Sequence, residues 1–567
     1  MNRLRTGLAS PDAARMRAAA IGLLLVAGAV QCWRYRYQMY PDGAEYVDVA
    51  RQFQATGFAG LLNGCWSPLY PVLLSLPWRF AHPTPEWLYP SVQLINLFDF
   101  AAAVAAFDYL VRAVLHYRAR LALPDRAAGL SDGTLTVAAY ASFAITIAFQ
   151  LNVRLMSPDM IVAAVVFVVS GLLLDAQPEP ERTSRWIGVG ATLAIGYLAK
   201  TVMFPVAVFY LLVAFVLGAG PRWRRGALVA AVTFVAVAGP WLLALSIWKG
   251  HPTYGDTGGL MYAEWVNHQP FHWTGEPPGS GVPVHPVRRL FTSPDAFAFR
   301  WPAPVTYAPF YDPTYWNEGL RPLLSLHDQA EAFARTIREL GWIFREGLVA
   351  LGPVLVALVG LAADWRGTRR RLWNLRFVWL PAVAAIGLYM LVHIEGRLVA
   401  GQLEVLIVML LSALAYAQTR LRWIDSSAAA ACVLAAALTV GPVAAGAARH
   451  TLMDLLGRGG QERTTDVLLV GALRENGLVG GDGVAVVGNS LDVAWAQLAG
   501  LSIVAEIGAD QLPVYLAAGA DTQAAVIDRL LGEGVRAVIA RSGDPAFDRA
   551  PWSRIAGTEF AIRRPAP

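Results

Sequence analysis

Residues 18–30 read AAAIGLLLVAGAV, and shortly afterwards residues 40–46 read YPDGAEY. The first stretch carries no charge and follows an arginine-rich N-terminus, a pattern that is typical of a first membrane-spanning helix. No small-x-small cleavage motif follows it, so we expect an uncleaved span. The second stretch sets Asp42 and Glu45 close to the bilayer surface, where removing two carboxylates from water is costly. Asp42 and Glu45 are therefore the first candidate site.

The composition predicts a polytopic α-helical membrane protein. Hydrophobic residues make up 56% of the 567 residues and charged residues only 15%, and the mean hydropathy is positive. A soluble protein of this length carries more charge on its surface. The net charge of +5 does not indicate a nucleic-acid partner, because the arginines cluster in short loops between apolar runs. The three cysteines form no Cys-x-x-Cys pair, so no zinc–thiolate site is indicated.

Further apolar runs predict about eleven transmembrane helices, some of them short for a crossing of roughly 20 residues. The runs are residues 18–30, 89–115, 134–151, 161–174, 187–198, 202–217, 227–248, 348–363, 377–392, 399–417 and 428–447. Residues 67–80 are also apolar, but two prolines near their start and a Trp-Arg end favour a helix at the membrane interface.

The charge of the loops predicts the orientation. Arginine-rich loops alternate with arginine-poor ones, and cytoplasmic loops carry the arginine excess, so we expect a cytoplasmic N-terminus in the inner (plasma) membrane. Residues 1–448 then form the membrane domain, with extracytoplasmic loops at 33–86 and 249–345. Residues 449–567 form an extracytoplasmic domain.

The C-terminal domain reads as a small α/β fold. Three short buried strand patterns alternate with the helical stretches 492–499 and 522–531, and they lie at 484–487, 502–505 and 537–540. The glycines at 480–483 precede the first strand, whereas a dinucleotide-binding motif places them after it. We expect a structural or partner-binding role for this domain.

The long loop 249–345 is rich in aromatic residues, proline, glycine and histidine. Aromatic faces beside carboxylates suit carbohydrate, and anchoring at the membrane interface explains them equally well. Four histidines lie in the loop, His251, His268, His272 and His285. Of these, His268 and His272 have the spacing of two metal ligands on one helix. Pro270 lies between them and disfavours a helix there, so the sequence does not favour a dedicated metal site.

The predicted topology places the unusual polar residues on the extracytoplasmic face, and we expect one shared site there. If 42–46 is helical, Asp42 and Glu45 share a face, although Asp42 as N-cap with Glu45 as its capping-box partner has the same spacing. Asp159 follows Pro158 near Arg154, where a capping role is the alternative.

Positive charge is expected at the same face from Lys200 and Arg397. Both suit an anionic lipid phosphate, and Glu395 is positioned to hold the Arg397 guanidinium. Snorkelling of the two long side chains to lipid headgroups is the alternative.

Several of these elements occur in an order that resembles the GT-C membrane glycosyltransferases. They are the first span, the Asp-x-x-Glu-Tyr element that ends at Tyr46, the hexapeptide WSPLYP at 66–71, the tripeptide SPD at 157–159 and the EGR turn at 395–397. The resemblance is closest to the protein mannosyltransferase and aminoarabinose transferase branch. In that branch a lysine before paired prolines stands where this chain reads WSPL.

The resemblance implies an inverting enzyme that moves a sugar from a polyprenyl-phosphate donor to a lipid, glycan or protein acceptor at the outer membrane face. It implies that Asp42 is the general base and that Asp159 is a second acid of the cavity. We count as substrate-binding candidates Glu45, Tyr46, Arg154, Lys200, Glu395 and Arg397. The sequence identifies no cofactor, but a divalent metal cation near Glu45 is a candidate because some relatives use one.

Two other classes of protein share some of these features. A lipid or glycan transporter or flippase also has many spans, but it is expected to show internal repeats and charges near the bilayer midplane. A non-catalytic scaffold for envelope assembly would use the long loop and the α/β domain to bind a partner.

Overall fold

The structure is a computed structural model that describes residues 11–121, 129–218, 220–269, 288–299, 301, 304–317, 319–348, 351–361, 364–416, 418–457 and 465–565. The chain divides into two compact units. The first comprises Met1–Arg34, Asn96–Tyr254 and Leu324–Gly459, and the second comprises Tyr35–Ile95, Gly255–Leu323 and Gly460–Pro567.

The first unit is helical in its described part. Its helices are α1 Pro11–Arg34, α4 Pro85–Ala119, whose first residues belong to the second unit, α5 Asp132–Phe149, α6 Asp159–Ala176, α7 Thr183–Ala199, α8 Met203–Leu217, α9 Pro221–Lys249, α13 Leu326–Leu348, α14 Leu351–Gly360, α15 Trp365–Asn374, α16 Arg376–Met390, α17 Gly396–Ala413 and α18 Gln418–Leu455. The helix numbers missing from this series belong to helices of the second unit.

The second unit combines short helices with a sheet. Its helices are α2 Pro41–Thr56, α3 Leu69–Trp78, α10 Thr257–Trp265, α11 Ala308–Tyr311, α12 Pro313–Trp316, α19 Thr465–Glu475, α20 Ala494–Ala499, α21 Leu512–Ala517 and α22 Ala520–Leu531, with 3-10 turns at Gly57–Leu61 and Pro545–Asp548. Its strands are β1 Arg288–Phe291, β2 Ala296–Ala298, β3 Gly483–Asn489, β4 Ser502–Gly508, β5 Ala537–Arg541, β6 Ser553–Arg554 and β7 Phe560–Arg563.

All eleven apolar runs of the sequence coincide with helices. Among the described residues, seven helices are long and apolar enough to cross a membrane, and there are eight if α15 and α16, bent by 81° at their junction, form one span. The remaining runs form α7, α8 and α14, which have 17, 15 and 10 residues. At about 1.5 Å per residue, each is shorter than the hydrocarbon core of roughly 30 Å. The chain is a multi-pass membrane protein.

Close packing fixes the positions of α6 and α17. A Cβ atom on Gly401 of α17 would lie 2.9 Å from the Cα of Ala163 in α6, so only glycine permits this approach. One turn nearer the start of each helix stand Arg397 and Asp159. Because residues four apart share a helix face, the glycine contact brings the first turns of the two helices together.

The mixed sheet of the second unit has the strand order β1-β2-β4-β3-β5-β7-β6. The three strands predicted from the sequence, β3, β4 and β5, are parallel and lie at its centre. The outer strands pair antiparallel, β2 with β4 and β7 with β5. Strands β1 and β2 come from the long loop 249–345, so this loop completes the C-terminal sheet rather than remaining irregular throughout.

Candidate active site

In the first unit, Asp159 is the centre of an ion-pair cluster. It is the first residue of α6, where the positive end of the helix dipole favours a carboxylate, and it is only 3% exposed. The hydroxyl of Ser157 donates to its Oδ2 at 2.7 Å, and the Nζ of Lys200 donates to its Oδ1. Nη1 of Arg397 lies 3.8 Å from Oδ2. Three groups thus compensate one buried carboxylate, which offsets the cost of its desolvation.

Two helix ends supply the cations of this cluster. Lys200 follows the last residue of α7 in an extended conformation, and Arg397 lies in the first turn of α17. The side chains are 24% and 12% exposed, respectively, so neither extends freely into solvent. Their pairing with Asp159 differs from snorkelling, in which the charged group is hydrated at the membrane surface.

Glu395 holds the other side of the Arg397 guanidinium. It precedes α17 in an extended conformation, and its Oε2 accepts from Nε of Arg397 at 2.6 Å. Its Oε1 lies 3.1 Å from Nε2 of His393. Burial opposes the charged form of Glu395, but the hydrogen bond from His393 and the charge and hydrogen bond of Arg397 lower its pKa to about 2. Glu395 is therefore a fixed negative charge at neutral pH.

The structure brings together four of the candidate site residues, Asp159, Lys200, Glu395 and Arg397. Arg154 stands in the loop just before α6, and its side chain is exposed. The capping role considered for Asp159 is not observed, because Pro158 is the N-cap residue and makes no side-chain cap bond.

In the second unit, α2 carries Asp42, Glu45 and Tyr46. The helix begins with Pro41, and its N-cap is Tyr40, which makes no side-chain cap bond. Asp42 is therefore inside the first turn, and the capping-box alternative is excluded. With helical spacing, Asp42 and Glu45 share one face of α2.

Glu45 is fully buried, and neither carboxyl oxygen has a hydrogen-bond partner in the described part of the chain. Burial, followed by the negative charges of Asp48 and Asp42, raises its pKa well above the usual range. Burial therefore favours the protonated, neutral form of Glu45 over a second anion beside Asp42.

A third acid on α2, Asp48, is buried and was not singled out from the sequence. Its Oδ2 accepts from the backbone N–H of Thr306 at 2.6 Å, and its Oδ1 accepts from the Thr306 hydroxyl at 3.1 Å and from Nε2 of Gln497 at 2.9 Å. Asp48 thus ties α2 to the Thr306 loop and to α20. In the sequence, the feature that distinguishes Asp48 is its position three residues after Glu45, the same spacing that separates Asp42 from Glu45.

Tyr46 is buried within an aromatic cluster. Its ring lies 5.0 Å, edge to face, from the rings of both Trp66 and Tyr70, and Trp66 in turn contacts Phe310 at 5.7 Å. Such pairs stabilise by about 0.5–1.5 kcal/mol beyond the burial of area. The WSPLYP element, one of the motifs that resemble a known family, therefore packs directly on α2.

Within the described residues, no three His, Cys, Asp or Glu side chains are grouped closely enough to hold a metal ion. His251 and His268 belong to the described part, whereas His272 and His285 lie outside it. A divalent cation near Glu45 therefore has no ligand set among the described side chains.

No family model and no curated protein sequence matches the chain. ArnT from Cupriavidus metallidurans in the apo state superposes with a TM-score of 0.54 at 14% identity, over 96% of this chain and 97% of that chain. ArnT bound to undecaprenyl phosphate gives 0.53 at 12% identity, over 97% of both chains. The apo oligosaccharyltransferase of Archaeoglobus fulgidus gives 0.49 at 12% identity, over 93% of this chain and 69% of that chain. The chain therefore has the fold of ArnT, a GT-C membrane glycosyltransferase, as the order of its motifs predicted.

Proposed function

We propose that the protein is an inverting glycosyltransferase that uses a polyprenyl-phosphate sugar as donor. The observation that carries the proposal is the cluster of Asp159, Lys200, Glu395 and Arg397, two partly exposed cations held by two carboxylates. It occurs on the fold of ArnT, a protein whose structure was solved with undecaprenyl phosphate bound. A lipid phosphate needs fixed positive charge and hydrogen-bond donors, which Lys200 and Arg397 supply.

The cluster is suited to a leaving group as well as to a bound donor. When the bond between the anomeric carbon and the phosphate oxygen breaks, its electron pair leaves with the polyprenyl phosphate, which gains one negative charge. Lys200 and Arg397 are held in place before the reaction, so they stabilise this charge without reorganising. Asp159, the proposed second acid of the site, also positions both cations.

Asp42 is the proposed general base. An acceptor hydroxyl is a weak nucleophile, so its proton must pass to a carboxylate as the oxygen bonds to the anomeric carbon. Glu45 stands one helical turn away, and its raised pKa favours the neutral form over a second anion beside Asp42. The products are the glycosylated acceptor, the polyprenyl phosphate and a protonated Asp42.

We also propose that the protein lies in the inner membrane with the reaction at the outer face and with a lipid, glycan or protein as acceptor. The arginine-rich loops support this orientation. Trp66 and Phe310 are the partly exposed rings of the aromatic cluster around α2, which carries the proposed base, and they are compatible with carbohydrate on the acceptor.

The test uses the full chain in proteoliposomes with polyprenyl-phosphate donors that carry a radiolabelled sugar, and an envelope lipid extract as acceptor. We expect Asp42→Asn to abolish transfer while retaining donor binding, and Arg397→Ala to weaken donor binding by about 10-fold or more. Asp544→Asn, at the N-cap of the Pro545–Asp548 turn of the second unit, is the matched control; asparagine can still accept from the Ala546 N–H, so this variant should transfer at the wild-type rate.

Near-normal transfer by Asp42→Asn would remove Asp42 as base. Movement of the labelled lipid across the bilayer without any new glycoside would instead favour the transporter, and the absence of both activities would favour the scaffold.

A further inference from the structure

A row of alternating charges extends from the proposed donor site to α13. Beyond Glu395, the Nδ1 of His393 lies 3.8 Å from Oε2 of Glu339 in α13. Oε1 of Glu339 lies 3.9 Å from Nε of Arg335, whose Nη2 donates to the carbonyl of Val392 at 3.0 Å. The imidazole of His393 thus stands between two carboxylates from different elements.

The elements around His393 contribute these charged or titratable groups: Glu339 and Arg335 from α13, Glu395 from the turn, Arg397 from α17 and, through Arg397, Asp159 and Lys200. From α16, the side chain of Tyr389 packs against a cluster of buried apolar residues that includes Ile394. The His393 side chain is 20% exposed, so solvent protons reach it.

Apart from His393, the formal charges of this row cancel. The cations Lys200, Arg397 and Arg335 face the carboxylates Asp159, Glu395 and Glu339, and so these six groups sum to zero. An anionic donor added to a neutral cluster leaves it negative, which opposes binding. Histidine is the side-chain type whose charge depends most directly on a proton under physiological conditions, and a proton on His393 makes this neutral set of charges positive.

We propose that His393 is a positioning residue whose protonation sets the affinity of the cluster for the donor phosphate, so that donor binding and proton uptake at His393 are coupled. This inference rests on the proposed function. Binding of an anion near His393 stabilises its charged form, and by linkage the charged form binds the anion more tightly. Affinity is therefore higher when His393 is protonated, and we expect it to fall as the pH rises.

The direct test measures binding with a probe of constant charge. The methyl diester of a C20 polyprenyl phosphate carries one negative charge between pH 5.5 and 8.5 and cannot transfer a sugar. We expect its Kd for the wild-type full chain in nanodiscs to rise about tenfold over that range, a coupling of ordinary size between two bound species. Calorimetry near pH 7 in two buffers of different ionisation enthalpy should show proton uptake.

Three variants test whether His393 is responsible. His393→Gln keeps a hydrogen-bond donor toward Glu395 but cannot be charged, so its Kd should stay at the weak, high-pH value and the proton uptake should vanish. His393→Gln combined with Glu339→Gln restores one net positive charge, so binding should again be tight and independent of pH. His327→Gln is the matched control, because His327 is an exposed histidine of α13 that is paired only locally with Glu331 in the described contacts.

The outcomes separate this inference from the proposed function. A diester that fails to bind the wild type at every pH would overturn the donor site itself. Tight binding with a flat pH profile, a slope that persists in His393→Gln, or a double variant that stays weak would overturn the role of His393 alone. Glu339→Gln by itself should tighten binding at pH 8.5, so the inference stays testable even if His393→Gln fails to fold.

Discussion

Replacing Glu45 by leucine is expected to stabilise the protein. A buried polar group without a hydrogen bond costs about 1–3 kcal/mol, and both oxygens of Glu45 lack a partner in the described part of the chain. Because burial raises the pKa of Glu45, the folded state holds more protons than the unfolded state above the ordinary pKa of about 4.3. Stability then falls by about 1.4 kcal/mol for each pH unit until the raised pKa is passed.

The assay is thermal unfolding of the full chain in detergent, followed by tryptophan fluorescence at pH 5 and pH 8. At about 1 °C for each kcal/mol in a chain of this length, Glu45→Leu should raise the apparent Tm by a few degrees at pH 8 and by less at pH 5. Glu45→Gln is the matched control, because it removes the charge but keeps a buried polar group, so it should lose the pH dependence while gaining less stability.

A Glu45→Leu variant that unfolds at lower temperature than the wild type at pH 8 would refute this reasoning. So would a difference between the two proteins that does not change with pH. Either result would mean that Glu45 has a partner that stabilises its charge, and its proposed neutrality beside Asp42 would fail with it.

Three further changes have defined outcomes. Asp159→Ala removes the acid shared by two cations and should lower stability by about 1–3 kcal/mol, seen as a lower Tm in detergent, with donor binding also weakened. Gly401→Leu should push α17 away from Ala163 and reduce donor affinity. At Gly387 an added Cβ meets nothing within 4 Å, so the control Gly387→Ala should bind donor as the wild type does. Equal donor affinities of the two variants would contradict the packing argument. Asp48→Ala removes three hydrogen bonds to buried partners and should cost about 2–4 kcal/mol, and unchanged resistance of the chain to trypsin would speak against it.

Helices and strands with strong periodicity were predictable from the sequence. The long apolar runs became helices, and β3, β4 and β5 appear where short β-branched runs stand. The ion-pair cluster was also accessible, because Asp159, Lys200, Glu395 and Arg397 all stand at the ends of apolar runs, where charge is otherwise avoided.

Other features depend on contacts between distant residues. Strands β1 and β2 are short and lie in a loop without regular alternation, and they exist because β4 offers an edge to pair with. Asp48 is separated by hundreds of residues from the Thr306 and Gln497 groups that it binds. The burial of Tyr46 likewise follows from the folding of Trp66 and Tyr70 onto α2, which a local pattern does not show.

The pairing of β2 with β4 has a consequence for biogenesis. The chain emerges from the ribosome in order, so Ala296–Ala298 is made well before Ser502–Gly508, and all the helices from α13 to α18 are synthesised in between. The segment that forms β1 and β2 therefore has no β4 edge to pair with until about nine-tenths of the chain has been synthesised, a delay that such long-range pairing imposes. A stop codon before β4 would thus release a protein whose early hairpin never acquires its partner strand and is exposed to aggregation or proteolysis.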